Sequence, residues 1–121
     1  MIKNAKVAVV GGRDYEDYQT LCSVLDYYND KYGISIIVSG GATGADTLAE
    51  KYAHSRQIDL HVFMAYWNKE GKRAGPRRNL RIVEYCDLMI AFPTKDSKGT
   101  YNAISLAKKL NKPVYVYKEG E

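Results

Sequence analysis

The chain has 121 residues, 45% of them hydrophobic, with a formal net charge of +4 and a pI of about 9.0. This length suits one domain, residues 1–121, whose core needs no disulfide or metal to hold it together. No apolar run approaches the roughly 20 residues of a membrane span, and the N-terminal residues lack the apolar segment of a signal peptide. We therefore expect a cytoplasmic protein with no membrane partner.

The two cysteines give no sign of a disulfide or a metal site. Cys22 and Cys86 lie far apart in the sequence, and no His or Cys stands at metal-ligand spacing from either. Such thiols are reduced and partly buried by default. We expect no disulfide, no metal and no cofactor.

Strand patterns alternate with helix patterns along the whole chain. The predicted elements are, in chain order, a strand at Ala5–Val10, a helix at about Tyr15–Asp30, a strand at Ile34–Ser39, a helix at about Gly44–Arg56, a strand at Asp59–Met64, a loop with at most a short helical turn at Ala65–Gly75, a helix at about Pro76–Tyr85, a strand at Leu88–Phe92, a polar loop at Pro93–Gly99, a helix marked by Ala103, Leu106, Ala107 and Leu110, and a strand at Pro113–Tyr117.

This alternation implies right-handed crossovers and a parallel sheet that is covered on both faces. We therefore predict an α/β fold, a single Rossmann-like three-layer sandwich with a five-stranded parallel sheet. Ligands of such sheets bind beyond the carboxyl ends of the strands. The loops that follow the first four predicted strands should converge there.

A glycine turn joins the second predicted strand to the second predicted helix. A turn that opens a helix leaves backbone N–H groups unpaired at the positive end of the helix dipole, where a phosphate fits. Alternatively, Gly40 and Gly41 form only a tight turn, since the pattern matches neither Walker A nor the dinucleotide-binding glycine motif. Asp46 would compete with an anion there, and it either caps the helix or binds ribose hydroxyls.

Four motifs stand in order along the chain. They are Gly11-Gly12-Arg13-Asp14-Tyr15, Ser39-Gly40-Gly41-Ala42-x-Gly44-Ala45-Asp46-x-Leu48-Ala49, Trp67-x-x-x-Gly71-Lys72-x-Ala74-Gly75-Pro76-x-Arg78-Asn79, and Ala91-Phe92-Pro93 followed by Gly99-Thr100. Together they resemble the successive motifs of the YspA-like family of the SLOG superfamily, which is related to YpsA, DprA and the Lonely Guy enzymes. The resemblance implies a Rossmann-like fold that binds a nucleotide-derived ligand, without a firmly assigned reaction.

The loops and the resemblance together indicate a set of ligand-binding residues. They are Gly11, Gly12, Arg13, Asp14, Ser39, Gly40, Gly41, Gly44, Ala45, Asp46, Trp67, Lys72, Gly75, Arg78, Asn79, Pro93, Gly99 and Thr100.

The chain departs from the Lonely Guy phosphoribohydrolases at one motif. Those enzymes carry Pro-Gly-Gly-x-Gly-Thr-x-x-Glu, in which the Glu acts in glycosidic cleavage. Here five other residues separate Pro93 from Gly99, and Ala103 stands at the position of the Glu. Arg78 still matches the active-site arginine of those enzymes. The resemblance therefore supports binding better than hydrolysis, and no catalytic residue is assigned.

Several side chains have both a structural and a functional interpretation. Arg78 is either a solvated charge at a helix start or a phosphate clamp, because a guanidinium fork matches two phosphate oxygens. Asp14 either caps the first helix or binds ligand hydroxyls. Trp67 either belongs to the core or stacks on a base. Arg77 and Arg81 share a helix face, as a solvated stripe or as an interface.

The sequence holds eleven tyrosines, and several cluster before and along the first predicted helix. Exposed tyrosine is enriched at protein interfaces, so a surplus on one helix predicts a homo-oligomer. The residues concerned are Tyr15, Tyr18, Tyr27, Tyr28 and Tyr32.

Three functions remain open. The leading one is binding of a phosphate-bearing, nucleotide-derived small molecule, a nucleotide or an ADP-ribose-like compound, by a sensor, carrier or sequestering protein. The second is a nucleoside-phosphate N-glycosidase or phosphoribohydrolase that uses Asp14 or Asp46 in place of the missing Glu. The third is nucleic-acid binding, favoured by the basic cluster and by kinship with DprA. We rank a nucleic-acid partner last, because the basic residues are confined to one loop and helix start.

Overall fold

The computed structural model describes residues 3–118 as a five-stranded parallel sheet between two layers of helices. The elements are β1 (Ala5–Gly11), α1 (Tyr18–Tyr32), β2 (Ile34–Ser39), α2 (Ala45–Ser55), β3 (Asp59–Val62), α3 (Trp67–Glu70), a 3-10 turn (Gly71–Arg73), α4 (Ala74–Tyr85), β4 (Leu88–Phe92), α5 (Lys98–Lys109) and β5 (Val114–Val116). The ends of the predicted domain, residues 1–2 and 119–121, lie outside the described residues.

The strand order is β3-β2-β1-β4-β5, and every neighbouring pair is parallel. The chain runs outward from β1 through β2 to β3 and then returns to pair β4 with the other side of β1. The order of strands therefore reverses between β1 and β4, where sheets of this kind open a crevice for ligands. Gly11 pairs with Phe92, so the two strands end side by side at this crevice.

Side chains of the central strands alternate between two cores. Val7 and Val9 pack toward α1 and α2, whereas Ala8 and Val10 pack toward α4 and α5. Every residue of β4 is buried, because both faces of a central parallel strand are covered by helices. The predicted three-layer α/β sandwich is confirmed.

The first helix begins three residues later than predicted. Its N-cap is Asp17, whose carboxylate accepts a hydrogen bond from the Thr20 backbone N–H at 3.1 Å. Tyr15 instead packs in the core, where it is 4% exposed and its ring centroid lies 5.2 Å from that of Phe92. The helix also extends beyond Asp30, to Tyr32.

The segment 65–75, predicted as a loop with at most a short helical turn, is mostly helical. It contains α3 and the 3-10 turn, and α4 begins at Ala74, so that Pro76 is the third residue of the helix and not the first. Proline is tolerated there because the N–H groups of a first turn have no partner within the helix. The last helix also begins earlier than predicted, so that Gly99 belongs to its first turn and not to the preceding loop.

Most tyrosines of the first helix pack against other parts of the chain. Tyr28 is 4% exposed, and its hydroxyl lies 2.6 Å from that of Tyr117. Tyr18 and Tyr32 are half-buried, while Tyr27 is 56% exposed. Of the five tyrosines named above, only Tyr27 is largely exposed, and the chain around β5 covers Tyr28 and Tyr32.

Over residues 3–118, both cysteines are free, and burial raises the pKa of the Cys86 thiol to about 11. The same stretch has no helix that is both long and apolar enough to span a bilayer.

Candidate functional site

A pocket of about 620 Å³ lies at the crevice where β1 and β4 end. Its wall contains backbone from the turn after β1, the turn after β2 and the first turn of α5. Four cationic side chains also line it, namely Arg13, Arg78, Lys95 and Lys98. Its volume is in the range of small-molecule pockets, roughly 300 to 1,000 Å³, and its charge suits an anion.

Half of the ligand-binding residues predicted from the sequence line this pocket. They are Gly11, Gly12, Arg13, Gly40, Asp46, Arg78, Asn79, Gly99 and Thr100. The other half lie outside its lining. They are Asp14, Ser39, Gly41, Gly44, Ala45, Trp67, Lys72, Gly75 and Pro93.

Arg78 braces the glycine turn after β2. Its Nη1 donates to the Gly40 carbonyl at 2.6 Å, and its Nε donates to Asn79 Oδ1 at 3.0 Å. A Cβ at position 40 would lie 2.6 Å from Arg78 Nη1 and 3.0 Å from Asp46 Oδ2. Glycine at this position lets the Arg78 guanidinium and the Asp46 carboxylate approach the backbone of the turn closely.

Asp46 is buried on the other side of the same turn, with 6% of its surface exposed. Its Oδ2 accepts a hydrogen bond from the Ala42 N–H at 3.1 Å, so the carboxylate holds the turn and does not cap α2, whose N-cap is Gly44. Burial raises the pKa of Asp46 to about 6, although the Ala42 N–H and the Arg78 guanidinium act in the opposite direction. Burial likewise lowers the pKa of Arg78, and Asp46 partly offsets this.

Asn79 connects Arg78 to the last helix. Its Nδ2 donates to the Gly99 carbonyl at 3.1 Å and to Asn102 Oδ1 at 2.9 Å, and its Oδ1 accepts from Arg78. All polar atoms of this buried amide are thus engaged within the chain. Asn79 therefore positions both the guanidinium and the first turn of α5.

The loops after β1 and β4 are joined by one short hydrogen bond. Thr94 Oγ1 donates to Asp14 Oδ1 at 2.6 Å, and Gly12 packs against the Thr94 side chain. The capping interpretation of Asp14 is therefore wrong, because Asp17 caps α1. Ser97 stabilises the second loop, since its hydroxyl donates to the Thr94 carbonyl at 2.8 Å and accepts from the Thr94 N–H at 3.0 Å.

Trp67 belongs neither to the core nor to the pocket. It is 50% exposed, and its indole packs against Gly75, where a Cβ would come within 3.2 Å of the ring.

Arg77 and Arg81 both form ion pairs with Glu70, at 2.9 and 3.2 Å, so the helix face that they share is occupied by a residue of the same chain.

Ser39, Gly44 and Ala45 lie outside the pocket lining and support its turns. Ser39 accepts from the Gly41 N–H at 3.1 Å and donates to Glu50 at 2.9 Å. Gly44 packs against the backbone of Gly12, and Ala45 is fully buried.

Sequence reasoning missed eight lining residues. They are Val10, Ala42, Ile82, Lys95, Asp96, Ser97, Lys98 and Tyr101. The two lysines carried a usable signal, because they stand on the loop that follows a central strand. Tyr101 carried none, since a tyrosine in a helical pattern is indistinguishable from a packing residue.

Comparison with known proteins places this architecture among SLOG proteins. The model of the YspA, cpYpsA-related SLOG family matches residues 5–69, more than half of the chain. The Gene 61 protein of Mycobacterium phage D29 is 34% identical over 117 residues, which cover 90% of this chain and 93% of the phage protein.

Two solved structures share the fold, and both are DNA processing protein A. The Streptococcus pneumoniae protein superposes with a TM-score of 0.74 at 20% identity, over 95% of this chain and 50% of its own. The Helicobacter pylori protein, described for its single-stranded DNA binding mode, superposes with a TM-score of 0.73 at 22% identity, over 98% of this chain and 68% of its own. The chain thus spans half the length of the S. pneumoniae protein.

The low rank of a nucleic-acid partner is corrected by these findings. Nearly the whole of this chain superposes on a protein that binds single-stranded DNA. The physical premise of that ranking was also incomplete, because Arg13, Lys95 and Lys98 add positive charge from other loops to the same sheet edge. The family model matches more than half of the sequence, and the chain belongs to the YspA, cpYpsA-related SLOG family.

Proposed function

We propose that this protein binds single-stranded nucleic acid and holds one of its phosphates in the pocket beside Arg78. The observation that carries the proposal is a half-buried guanidinium fixed at the mouth of a glycine-walled crevice. Within the described residues, the hydrogen bonds of Arg78 use Nη1 and Nε, and Nη2 remains for a ligand. A guanidinium held in this way loses little further entropy when it binds a phosphate oxygen.

The rim of the pocket suits a longer strand. Lys95 and Lys98 are exposed on the loop after β4 and at the start of α5, and Tyr101 is 47% exposed one turn further on. Proteins that bind single strands combine cations along the backbone with aromatic rings on which bases stack. The fold shared with the single-stranded DNA binding protein of H. pylori supports the same choice of partner.

The test is the affinity for a fluorescently labelled oligonucleotide of about ten nucleotides, within the usual site size, measured by anisotropy at fixed salt. Arg78→Ala should weaken binding about tenfold to a hundredfold, since loss of a charged hydrogen bond costs about 1.5 to 3 kcal/mol. Arg78→Lys keeps the positive charge but loses the planar fork of the guanidinium, so its affinity should lie between those of wild type and Arg78→Ala. Thermal unfolding of each variant separates a lost contact from a disturbed turn.

Arg56→Ala is the matched control. Arg56 pairs with Asp26 at 3.1 Å at the end of α2, away from the pocket lining, and its removal should leave the affinity unchanged. The proposal is wrong if wild-type protein does not bind the oligonucleotide, or if Arg78→Ala and Arg56→Ala bind equally well.

A second candidate is a free nucleotide-derived ligand, such as a mononucleotide or an ADP-ribose-like compound, held by a sensor, carrier or sequestering protein. The buried carboxylate of Asp46 favours it, because a ribose hydroxyl is a suitable donor to an acceptor placed beside a phosphate site. Calorimetry with nucleoside monophosphates distinguishes the two candidates. A monophosphate that binds as tightly as the oligonucleotide would favour the small ligand.

A further inference from the structure

A second surface of this protein has the chemistry of a nucleic-acid contact and is separate from the pocket. We call it the Trp67 surface, and it comprises Met64, Tyr66, Trp67, Lys69, Lys72 and Arg73. Its three large apolar side chains are each at least half exposed, at 54%, 55% and 50% for Met64, Tyr66 and Trp67. Isolated exposed apolar residues are common, but three within four positions mark a contact surface.

Positive charge is concentrated in the segment that carries this surface and leads to the pocket. The segment from Met64 to Arg78 holds five basic residues and one acidic residue, so its net charge is +4, equal to the formal net charge of the whole chain. The rest of the chain is therefore neutral in sum. Lys69, Lys72 and Arg73 are exposed, and the ion pairs formed by the described residues of this region involve only Glu70 with Arg77 and Arg81.

The orientation of Trp67 is maintained by packing on α4. The six-membered ring of the indole packs against Gly75, where a Cβ would lie 3.2 Å from Trp67 Cη2 and would push the ring away slightly. Arg81, one turn and a half further along α4, places its guanidinium over the Tyr66 ring at 5.3 Å. Both aromatic rings are thus held against α4 while half of their surface faces solvent.

The same helix joins this surface to the pocket. Arg78 lies on α4 between Gly75, which supports Trp67, and Arg81, which covers Tyr66, and Arg78 lines the pocket. Gly41 provides a second link, because Met64 Sδ would lie 2.8 Å from a Cβ at that position, next to the pocket-lining Gly40 and Ala42. The pocket and the Trp67 surface thus adjoin along α4 and the turn after β2.

We propose that the Trp67 surface is a second nucleotide subsite, where a base of the same single strand stacks on the indole while Lys69, Lys72 and Arg73 neutralise its flanking phosphates. This inference rests on the proposed function. Unpaired bases expose a π-face to an aromatic ring, whereas the bases of a duplex are already stacked. The partner is thus a single strand and not a double helix.

Trp67 is the single tryptophan of the chain, so intrinsic fluorescence reports directly on this subsite. A nucleobase stacked on an indole quenches its emission. We expect an oligonucleotide of about ten nucleotides to quench wild-type fluorescence in the same titration in which anisotropy reports binding. An abasic strand of the same length and charge should bind without comparable quenching, and a duplex should leave the emission unchanged.

Variants test whether stacking contributes to affinity. Trp67→Ala should weaken oligonucleotide binding about tenfold, since stacking of one base contributes on the order of 1 to 3 kcal/mol. Trp67→Phe keeps an aromatic ring and should stay within about threefold of wild type. Circular dichroism should show the same fold for both variants, because half of the indole is exposed and its loss leaves the two cores intact.

The possible failures are distinguishable. If the oligonucleotide binds and Arg78→Ala weakens it, but Trp67 emission does not change and Trp67→Ala binds like wild type, the subsite is wrong and the proposed function stands. Equal quenching by the abasic strand or by the duplex would exclude base stacking. If wild-type protein binds no oligonucleotide, both the subsite and the proposed function are wrong.

Discussion

Asp46 is a buried carboxylate in a pocket whose lining also contains four cationic side chains and Asp96. Its pKa is raised to about 6, above its ordinary value of 3.8, and the largest cause is burial. A raised folded-state pKa means that the protonated form is favoured by folding. The contribution of Asp46 to the free energy of unfolding is therefore fully present below about pH 4 and is lost as the pH rises through about 6.

We therefore expect Asp46→Asn to change how stability depends on pH. Because the amide does not titrate, the free energy of unfolding of the variant should increase relative to wild type between about pH 4 and pH 7, by on the order of 2 to 3 kcal/mol. Urea unfolding at several pH values measures this. Asp26→Asn is the control: hydrogen bonds from Arg56 and Tyr52 lower the pKa of Asp26, so its titration changes stability only below about pH 4, and the difference between this variant and wild type should stay constant between about pH 4 and pH 7. Parallel pH profiles for Asp46→Asn and wild type would contradict the expectation.

Charge on Asp46 should also affect anion binding. A phosphodiester strand keeps its charge across this range, so any pH effect belongs to the protein. Binding should strengthen as the pH falls from about 7 to about 5, because protonation of Asp46 removes a negative charge beside Arg78. The charged groups that act on Asp46 are Arg78 and Glu50. Anisotropy titrations of wild type and Asp46→Asn at both pH values test this, and an equal pH effect in the variant would assign it elsewhere.

Ala103 marks the position at which Lonely Guy phosphoribohydrolases carry their Glu. It is a fully buried residue of α5, so the chain has no carboxylate at that position. General acid or base assistance contributes about a hundredfold to ten-thousandfold to such reactions. We expect little or no release of free base from nucleoside monophosphates, measured by chromatography. Rapid release that Asp46→Asn abolishes would instead establish the enzyme alternative.

At the scale of an element, the start of α2 depends on one glycine. Gly44 has a φ of +74°, a conformation that L side chains rarely adopt, and a Cβ there would meet the backbone of Gly12 and Arg13. Gly44→Ala should therefore destabilise the protein by at least about 2 kcal/mol, from backbone strain and displacement of the neighbouring loop. Thermal or urea unfolding measures this loss.

Gly99→Ala is the matched control on the other side of the pocket. Gly99 lies in the first turn of α5, its φ is not positive, and a Cβ there would meet no atom within 4 Å. Alanine favours a helix over glycine by up to about 1 kcal/mol, so this variant should be as stable as wild type or slightly more so. Equal destabilisation by both substitutions would mean that the turn before α2 has no special requirement for glycine.

At the scale of the whole molecule, the uneven charge predicts a salt dependence that can be assigned to particular residues. Each phosphate neutralised on a single strand contributes about 0.7 to the slope of log affinity against log salt concentration. Lys72→Gln, on the Trp67 surface, should reduce that slope by about 0.7. Lys51→Gln should leave it unchanged, because Lys51 lies on α2 over the Tyr18 ring and away from the proposed path. Equal slopes for the two variants would mean that Lys72 does not neutralise a phosphate of the bound strand.

Local pattern was enough to predict the architecture. The apolar runs at Ala5–Val10 and Leu88–Phe92 mark strands buried on both faces, and the alternation of strands with helices leaves few ways to cover a sheet. The conspicuous glycine turns likewise marked where backbone would be exposed at the strand ends. Both properties depend on residues close together in the sequence, and periodicity records them directly.

Only the tertiary structure decided which residues line the pocket. Lys95, on the loop after β4, and Lys98, at the start of α5, line the pocket because β4 pairs with β1, and no local pattern encodes which strands are neighbours. Asp14 accepts a hydrogen bond from Thr94, which lies 80 positions away in the sequence. The short helix α3 places the Trp67 indole against Gly75, and the glycine-rich, basic sequence of that segment predicted at most a short helical turn. The sequence by itself thus determined the family, the layers and the chemistry available at one edge of the sheet. Strand order and long-range contacts decided which of those groups meet, because they bring together residues that are distant in sequence.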